Sequence, residues 1–223
     1  MDFERTVAVV TGANRGLGRQ FAQQLVERGA KVYAAVRRPE SADIPGVTPI
    51  RFDLTDPASI EEVAKVASDA TLLVNNAGIS THTSLLTGDF DNVRLEMETH
   101  YFGTLATTRA FVPVIERNGG GAVLNVHSIL SWVHIGGAYS AAKAAGWAMS
   151  NALRQELAPK GIGLTALYVA YMDTDMASFV APEEKVDPAA VAKAALDGVA
   201  AGTAEVLGDD RTRSAKQNLS AAL

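Results

Sequence analysis

Short apolar runs alternate with longer amphipathic stretches along this chain. Thr6-Val7-Ala8-Val9-Val10 is an uninterrupted apolar run that ends in Thr11-Gly12, the pattern of a strand buried on both faces. Leu17, Phe21, Leu25 and Val26 then recur at helical spacing over residues 16–28, and Gly29 stands where a helix-terminating glycine belongs. The alternation continues, with further strands predicted over 31–36, 47–52, 71–75, 122–126, 162–169 and 204–207. A helix opens at Asp56-Pro57, with proline in its first turn and Glu61 and Glu62 near its positive end. A long helix is predicted over 89–117, ended by Gly119-Gly120-Gly121, and another over 139–158, closed by Pro159 and Gly161. Asp187-Pro188 caps a last helix reaching about residue 200, and the polar tail over 209–223 is expected to fray. Such repetition implies an α/β architecture: a doubly wound parallel sheet covered by helices on both faces.

Composition narrows the function classes. With 223 residues the chain suits one sizeable core, read as a single domain over 1–223. Hydrophobic residues at 48% and charged residues at 20% mark a soluble globular protein. A net charge of −5 supplies no basic field, which argues against nucleic acid as a partner. The absence of cysteine excludes disulfides, zinc-thiolate sites and thiol nucleophiles. No apolar run is long enough to span a bilayer, and Met1-Asp2-Phe3-Glu4-Arg5 lacks a signal-peptide layout, so a cytoplasmic protein without a membrane partner is expected. His82, His100, His127 and His134 fall near the predicted site. No His-x3-His pair or His-Glu cluster was found among them, so no metal is expected and pocket-lining or packing roles are assigned.

Two patterns carry candidate chemistry. Thr11-Gly12-Ala13-Asn14-Arg15-Gly16-Leu17-Gly18 lies between the first strand and the first helix. Glycine there permits a tight turn, close approach of backbone to a pyrophosphate and helix–strand packing, and the helix start offers free N–H groups to phosphates. Such a turn also has a purely structural reading; its place directly after the first strand favours the functional one. Tyr139 and Lys143, four apart on a predicted helix, project from one face. A neighbouring ammonium favours phenolate, so Lys143 is expected to lower the tyrosine pKa toward a range useful for acid–base work. Alone, such a pair is more often a surface pair.

Taken in order, the glycine turn, Asn75-Asn76-Ala77-Gly78, Ser128 and Tyr139-x3-Lys143 make the chain resemble the short-chain dehydrogenase/reductase family, from Thr6 to about Leu207. The resemblance implies a seven-stranded Rossmann sheet with a nicotinamide cofactor at the C-terminal ends of the strands. It implies that Tyr139 protonates the carbonyl oxygen in reduction and deprotonates the alcohol in oxidation. Lys143 would also hold the nicotinamide ribose, and Ser128 would stabilise charge on the same oxygen. Ser131 is a nearby rival; Ser128 is preferred because it follows Asn125-Val126-His127 at the strand end. To the cofactor the resemblance assigns Gly12, Asn14, Arg15, Gly16, Leu17, Gly18, Arg37, Asp53, Leu54, Asn75, Ala77, Gly78, Met172 and Thr174, beside Tyr139 and Lys143.

The chain departs from the family at two places. His100 stands where the family has an asparagine that binds a relay water. It either keeps the relay and adds a pH dependence, or merely fills space. Val169-Ala170 replaces the usual Pro-Gly, which should narrow the space beside the nicotinamide. For cofactor choice, Ala34-Ala35-Val36-Arg37-Arg38 contains none of the acidic residues that NAD-preferring sites use. Arg37 and Arg15 can pair with a 2′-phosphate, whereas Arg38 reads as solvated, so NADP(H) is expected.

The substrate pocket is expected from 80–84, 132–136 and 171–180, lined by Trp132, His134, Tyr171, Met176 and Phe179. Its apolar character suits a hydrophobic ketone or aldehyde, or the matching secondary alcohol. Trp147 is read as packing, and the short segment after Thr174 leaves no room for a large lid. The alanine-rich stretch 141–152 can pack closely, and by analogy a homodimer or homotetramer is expected. Two alternatives stay open: an imine reductase on the same scaffold, and a catalytically silent NADP-binding sensor or scaffold.

Overall fold

Residues 1–219 are described in the computed structural model of the chain. Seven strands form one parallel sheet: β1 (Val7–Thr11), β2 (Lys31–Val36), β3 (Val47–Arg51), β4 (Leu72–Asn75), β5 (Gly121–Val126), β6 (Ile162–Tyr168) and β7 (Glu205–Leu207). Their order is β3-β2-β1-β4-β5-β6-β7. The direction of winding reverses between β1 and β4, and a crevice opens there beyond the C-terminal strand ends.

Side chains alternate across the sheet, so each strand feeds two cores. Ala8, Val10, Leu72, Leu124 and Leu167 pack on one face against α1 (Gly16–Glu27) and α6 (Pro188–Ala201), through Phe21, Leu25 and Leu196. Val9, Leu73, Val123, Leu164 and Tyr168 face the other layer. That layer holds α2 (Pro57–Val66), α4 (Thr104–Arg117) and α5 (Gly137–Leu157), with Ile60, Phe111, Ile115 and Leu157 at the contact. Asp56 and Asp187 cap α2 and α6 with their side chains, as their place before proline suggests.

Two predicted stretches differ from what is observed. The long helix predicted over 89–117 is α3 (Phe90–Met97), a π-helical turn (Glu98–Gly103) and α4 in continuous succession. Gly103 ends the widened turn at a close approach. A Cβ there would meet the Leu54 carbonyl oxygen at 2.6 Å and Leu54 Cγ at 2.8 Å, so the helix passes hard against the loop after β3. Hydrophobic periodicity cannot show a one-residue bulge of this kind. The tail predicted to fray instead forms α7 (Asp210–Gln217). Asp209 is buried, caps this helix on Thr212 N, and accepts from the Ala170 backbone N–H at 2.7 Å. Lys216 then places its ammonium 4.9 Å from the Trp132 ring centre and 2.8 Å from Glu205 Oε2. Residues 220–223 of the predicted tail lie outside the described residues.

Candidate active site and nucleotide cleft

The crevice at the winding reversal is a cavity of about 780 Å³. One end is built by the loop from β1 to α1. Gly12 and Gly16 adopt φ +67° and +52°, which favour glycine. A Cβ at Gly18 would lie 2.2 Å from the Gly12 carbonyl oxygen. Arg15 stands at the N-cap of α1 and no side chain closes that helix start, so its amides are open to an anion. Asn14, Leu17, Arg37, Asp53, Leu54, Ala77 and Gly78 line the same end, joined by Arg38, Ser41 and Asn76, which the sequence reading did not assign to the cofactor. Arg15 pairs with Asp175 across the mouth at 3.2 Å, with both groups largely exposed. Thr55 donates from its backbone N–H and hydroxyl to the Asp53 carboxylate, which holds the carboxyl below its usual range.

The other end gathers the catalytic candidates. Ser128 N-caps the short turn Ile129–Ser131 directly after β5, and Tyr139 and Lys143 enter from the first turns of α5. Lys143 is buried; its Nζ donates to the Val126 carbonyl at 3.1 Å and sits 5.5 Å from the Tyr139 ring centre. Burial pulls the Lys143 pKa down to about 8, against the opposing pull of Glu96. The expected lowering of the Tyr139 pKa by Lys143 is not what the geometry gives. Burial pushes it up, Glu96 adds to this, and hydrogen bonding with Ser128 works the other way. The low dielectric of the buried site is the dominant cause.

His100 lines the cavity with its ring edge-on to Tyr139, the centres 5.1 Å apart. Its Nε2 lies 2.9 Å from the Ile79 carbonyl oxygen. Burial, then the charge of Lys143, lowers its pKa against the opposing pull of Glu96 and the Ile79 carbonyl, which favours the neutral ring. Met172 and Thr174 line the cavity. The segment that carries them is tied down by Asp173 N on the Val186 carbonyl and by Ala170 N on Asp209.

Three assigned residues lie elsewhere. Asn75 is buried in the sheet, donating to Thr108 Oγ1 and Asn125 Oδ1; its neighbour Asn76 faces the cleft. Trp132 is not a pocket residue. It stacks on Tyr168 at 4.3 Å and meets Trp147 edge-on in the core, because the turn after Ser128 aims it inward. His134 is exposed, and Leu130, Ile135 and Gly136 form that wall instead. Ser131, the rival to Ser128, is buried away from the cavity lining. Tyr171, Met176 and Phe179 do line the substrate end, with Phe179 edge-on to both Tyr171 and His82. Glu96 went unnoticed: it stands four residues before His100, a spacing that places both on one helix face.

Among the described residues, no group of three or more His, Asp or Glu side chains could hold a metal ion. No helix of the described residues is long and apolar enough to cross a membrane. Residues 6–185 match the family model described as short chain dehydrogenase. The 3-oxoacyl-acyl-carrier-protein reductase of Escherichia coli is 30% identical over 197 residues, covering 83% of this chain and 81% of its own. An NADPH-dependent 1-acyldihydroxyacetone phosphate reductase of Schizosaccharomyces pombe is 30% identical over 188 residues, covering 80% of this chain and 63% of its own. A Burkholderia cenocepacia short chain dehydrogenase, solved in complex with NADP, superposes with TM-score 0.94 at 39% identity, over 99% of this chain and 95% of that one.

Proposed function

This chain belongs to the short-chain dehydrogenase/reductase family, and from that premise we propose that it is an NADP(H)-dependent reductase of hydrophobic ketones or aldehydes, or an oxidant of the matching secondary alcohols. The observation that carries the reading is the single cavity that joins an open helix start and an arginine cluster to Ser128, Tyr139 and Lys143. The glycine turn fits a dinucleotide: where Gly12, Gly16 and Gly18 lie, a side chain would be strained or would strike backbone. The uncapped start of α1 would receive the pyrophosphate, and Asp53 would accept from the adenine amino group. Arg37, Arg38 and Arg15, with the Ser41 hydroxyl, would hold a 2′-phosphate, and no carboxylate follows β2 to repel it before Glu40. The solved relative bound to NADP and the NADPH-dependent yeast relative support this choice.

Bound, the nicotinamide supplies hydride. The chain's own residues handle the proton and the charge. Ser128 donates to the carbonyl oxygen and Tyr139 delivers a proton to it. The phenol, pushed above its usual pKa by burial, holds its proton firmly. The buried Lys143 ammonium opposes the phenolate charge that appears once the proton has moved. Ile79, Leu130, Ile135, Tyr171, Met176 and Phe179 present a largely apolar wall to the substrate.

The test is consumption of NADPH against a panel of aryl, cyclic and long-chain ketones, with NADH and Tyr139→Phe in parallel. Turnover with NADPH that Tyr139→Phe abolishes, while NADPH binding survives, is the expected result. Tight NADPH binding without turnover of any ketone would refute the reductase reading and favour a sensor or an imine reductase.

A further inference from the structure

Glu96 is fully buried beside the catalytic side chains, and the mechanism above gives it no task. Its Oε1 accepts from the Thr81 backbone N–H at 2.6 Å and from the Thr81 hydroxyl at 2.8 Å. Its Oε2 lies 3.2 Å from His100 Nε2 yet receives no hydrogen bond among the described residues. The Nε2 proton is directed to the Ile79 carbonyl instead, at 2.9 Å. A ring nitrogen facing a carbonyl oxygen and a carboxylate oxygen must be the protonated one, since neither neighbour can donate. Nδ1 is then the unprotonated nitrogen, and it makes no hydrogen bond among the described residues on a ring that lines the cavity. Burial works against the Glu96 charge, but His100 and the two donors of Thr81 outweigh it and hold the carboxyl below its usual range.

We propose that Glu96 is a positioning residue for the active site. With the Ile79 carbonyl, its carboxylate 3.2 Å from Nε2 favours His100 as the Nε2–H tautomer with Nδ1 left as an acceptor, and it pins the Ile79-Ser80-Thr81 wall to α3. It also lays a standing negative charge behind Tyr139 and Lys143. The titratable groups facing this pair are Tyr139 and Lys143 from α5 and His127 from the end of β5. Removing the negative charge makes phenolate easier to form and ammonium harder to keep, so both groups titrate lower. The functional consequence rests on the reductase reading above; the tautomer does not.

Glu96→Gln keeps the shape and removes the charge. NMR of isotope-labelled histidine in the full chain, with and without NADPH, reads the tautomer, and His100→Asn identifies the signal. The wild type is expected to show neutral His100 protonated on Nε2, and Glu96→Gln a redistributed tautomer. The pH midpoint of alcohol oxidation is expected to move to lower pH by roughly half a unit to one unit in Glu96→Gln, and to return in Glu96→Asp. A purely structural role would lower the rate without moving that midpoint. An unchanged His100 signal with an unmoved midpoint overturns the proposal. Should Glu96→Gln not fold, the wild-type spectrum decides: an Nδ1–H tautomer or an imidazolium at neutral pH overturns it. If the wild type turns over no ketone or alcohol, the reductase reading fails, and the imidazole spectrum alone judges Glu96.

Discussion

Lys143 trades stability for its place in the site, and the size of the trade follows from its burial. Among the described residues its ammonium has one acceptor, the Val126 carbonyl, and its side chain is buried. Lowering its pKa from 10.5 to about 8 costs the folded state about 3 kcal/mol at neutral pH. Below pH 8 the lysine is charged in both states and the whole penalty applies. Between about 8 and 10.5 the unfolded chain binds more protons than the folded one, so stability rises with pH. Lys143→Met removes the penalty at every pH, at a roughly constant loss of about 1 kcal/mol for the bond to Val126. The variant should thus exceed the wild type by about 2 kcal/mol at pH 7, and most of this advantage should be lost by pH 10. Urea unfolding of both proteins without cofactor, at intervals across that range, measures the difference directly. Comparing the two proteins cancels the tyrosines, whose raised pKa values act alike in both. A difference that stays flat from pH 7 to pH 10 would refute the reasoning and mean that water reaches the ammonium through the cleft.

Three further outcomes follow from the same geometry. Arg37→Ser should raise the KM for NADPH about tenfold, the value of one lost charge-assisted contact of about 1.4 kcal/mol, and leave that for NADH nearly unchanged in steady-state assays. Gly18→Ala places a Cβ 2.2 Å from the Gly12 carbonyl. It should cost about 1–3 kcal/mol of stability and most of the NADPH affinity, read by calorimetric titration. Lys216 lies over Trp132 and Trp147, the two tryptophans of the chain. Lys216→Met should therefore alter the intrinsic emission spectrum and lower stability by about 1 kcal/mol; an unchanged spectrum would show that α7 does not seat its lysine on these rings in solution.

The sheet was legible because parallel strands buried on both faces must read as short apolar runs, and glycine and Asx-Pro signals mark the ends between them. The glycine turn, Ser128, Tyr139 and Lys143 were placed in one cleft by the family resemblance, which their positions at strand ends and on one helix face supported. What failed did so for want of three-dimensional direction. Trp132 follows Ser128 closely, yet the short turn at Ile129–Ser131 rotates it into the core. Asn75 and Asn76 are adjacent in a motif, but period-2 alternation sends one into the sheet and the other toward the cleft. Asp209 and Lys216 looked like solvated tail charges because their partners, Ala170 N and the tryptophans, are distant in sequence. Glu96 was readable from its spacing to His100; its complete burial was not.

The π-helical turn at Glu98–Gly103 has a consequence for how this scaffold could change. One extra residue there sets the helical phase of α3 independently of α4: His100 meets the catalytic end while Gly103 rides on Leu54 at the nucleotide end. Deleting a single residue within the turn would restore regular α-helix and rotate everything before it by about 100° relative to α4. Glu96 would swing off Thr81 and another side chain would take its place, while the core beneath α4 stayed packed. A one-codon deletion would therefore change the electrostatics behind the tyrosine by moving a whole helix face, not by altering one side chain.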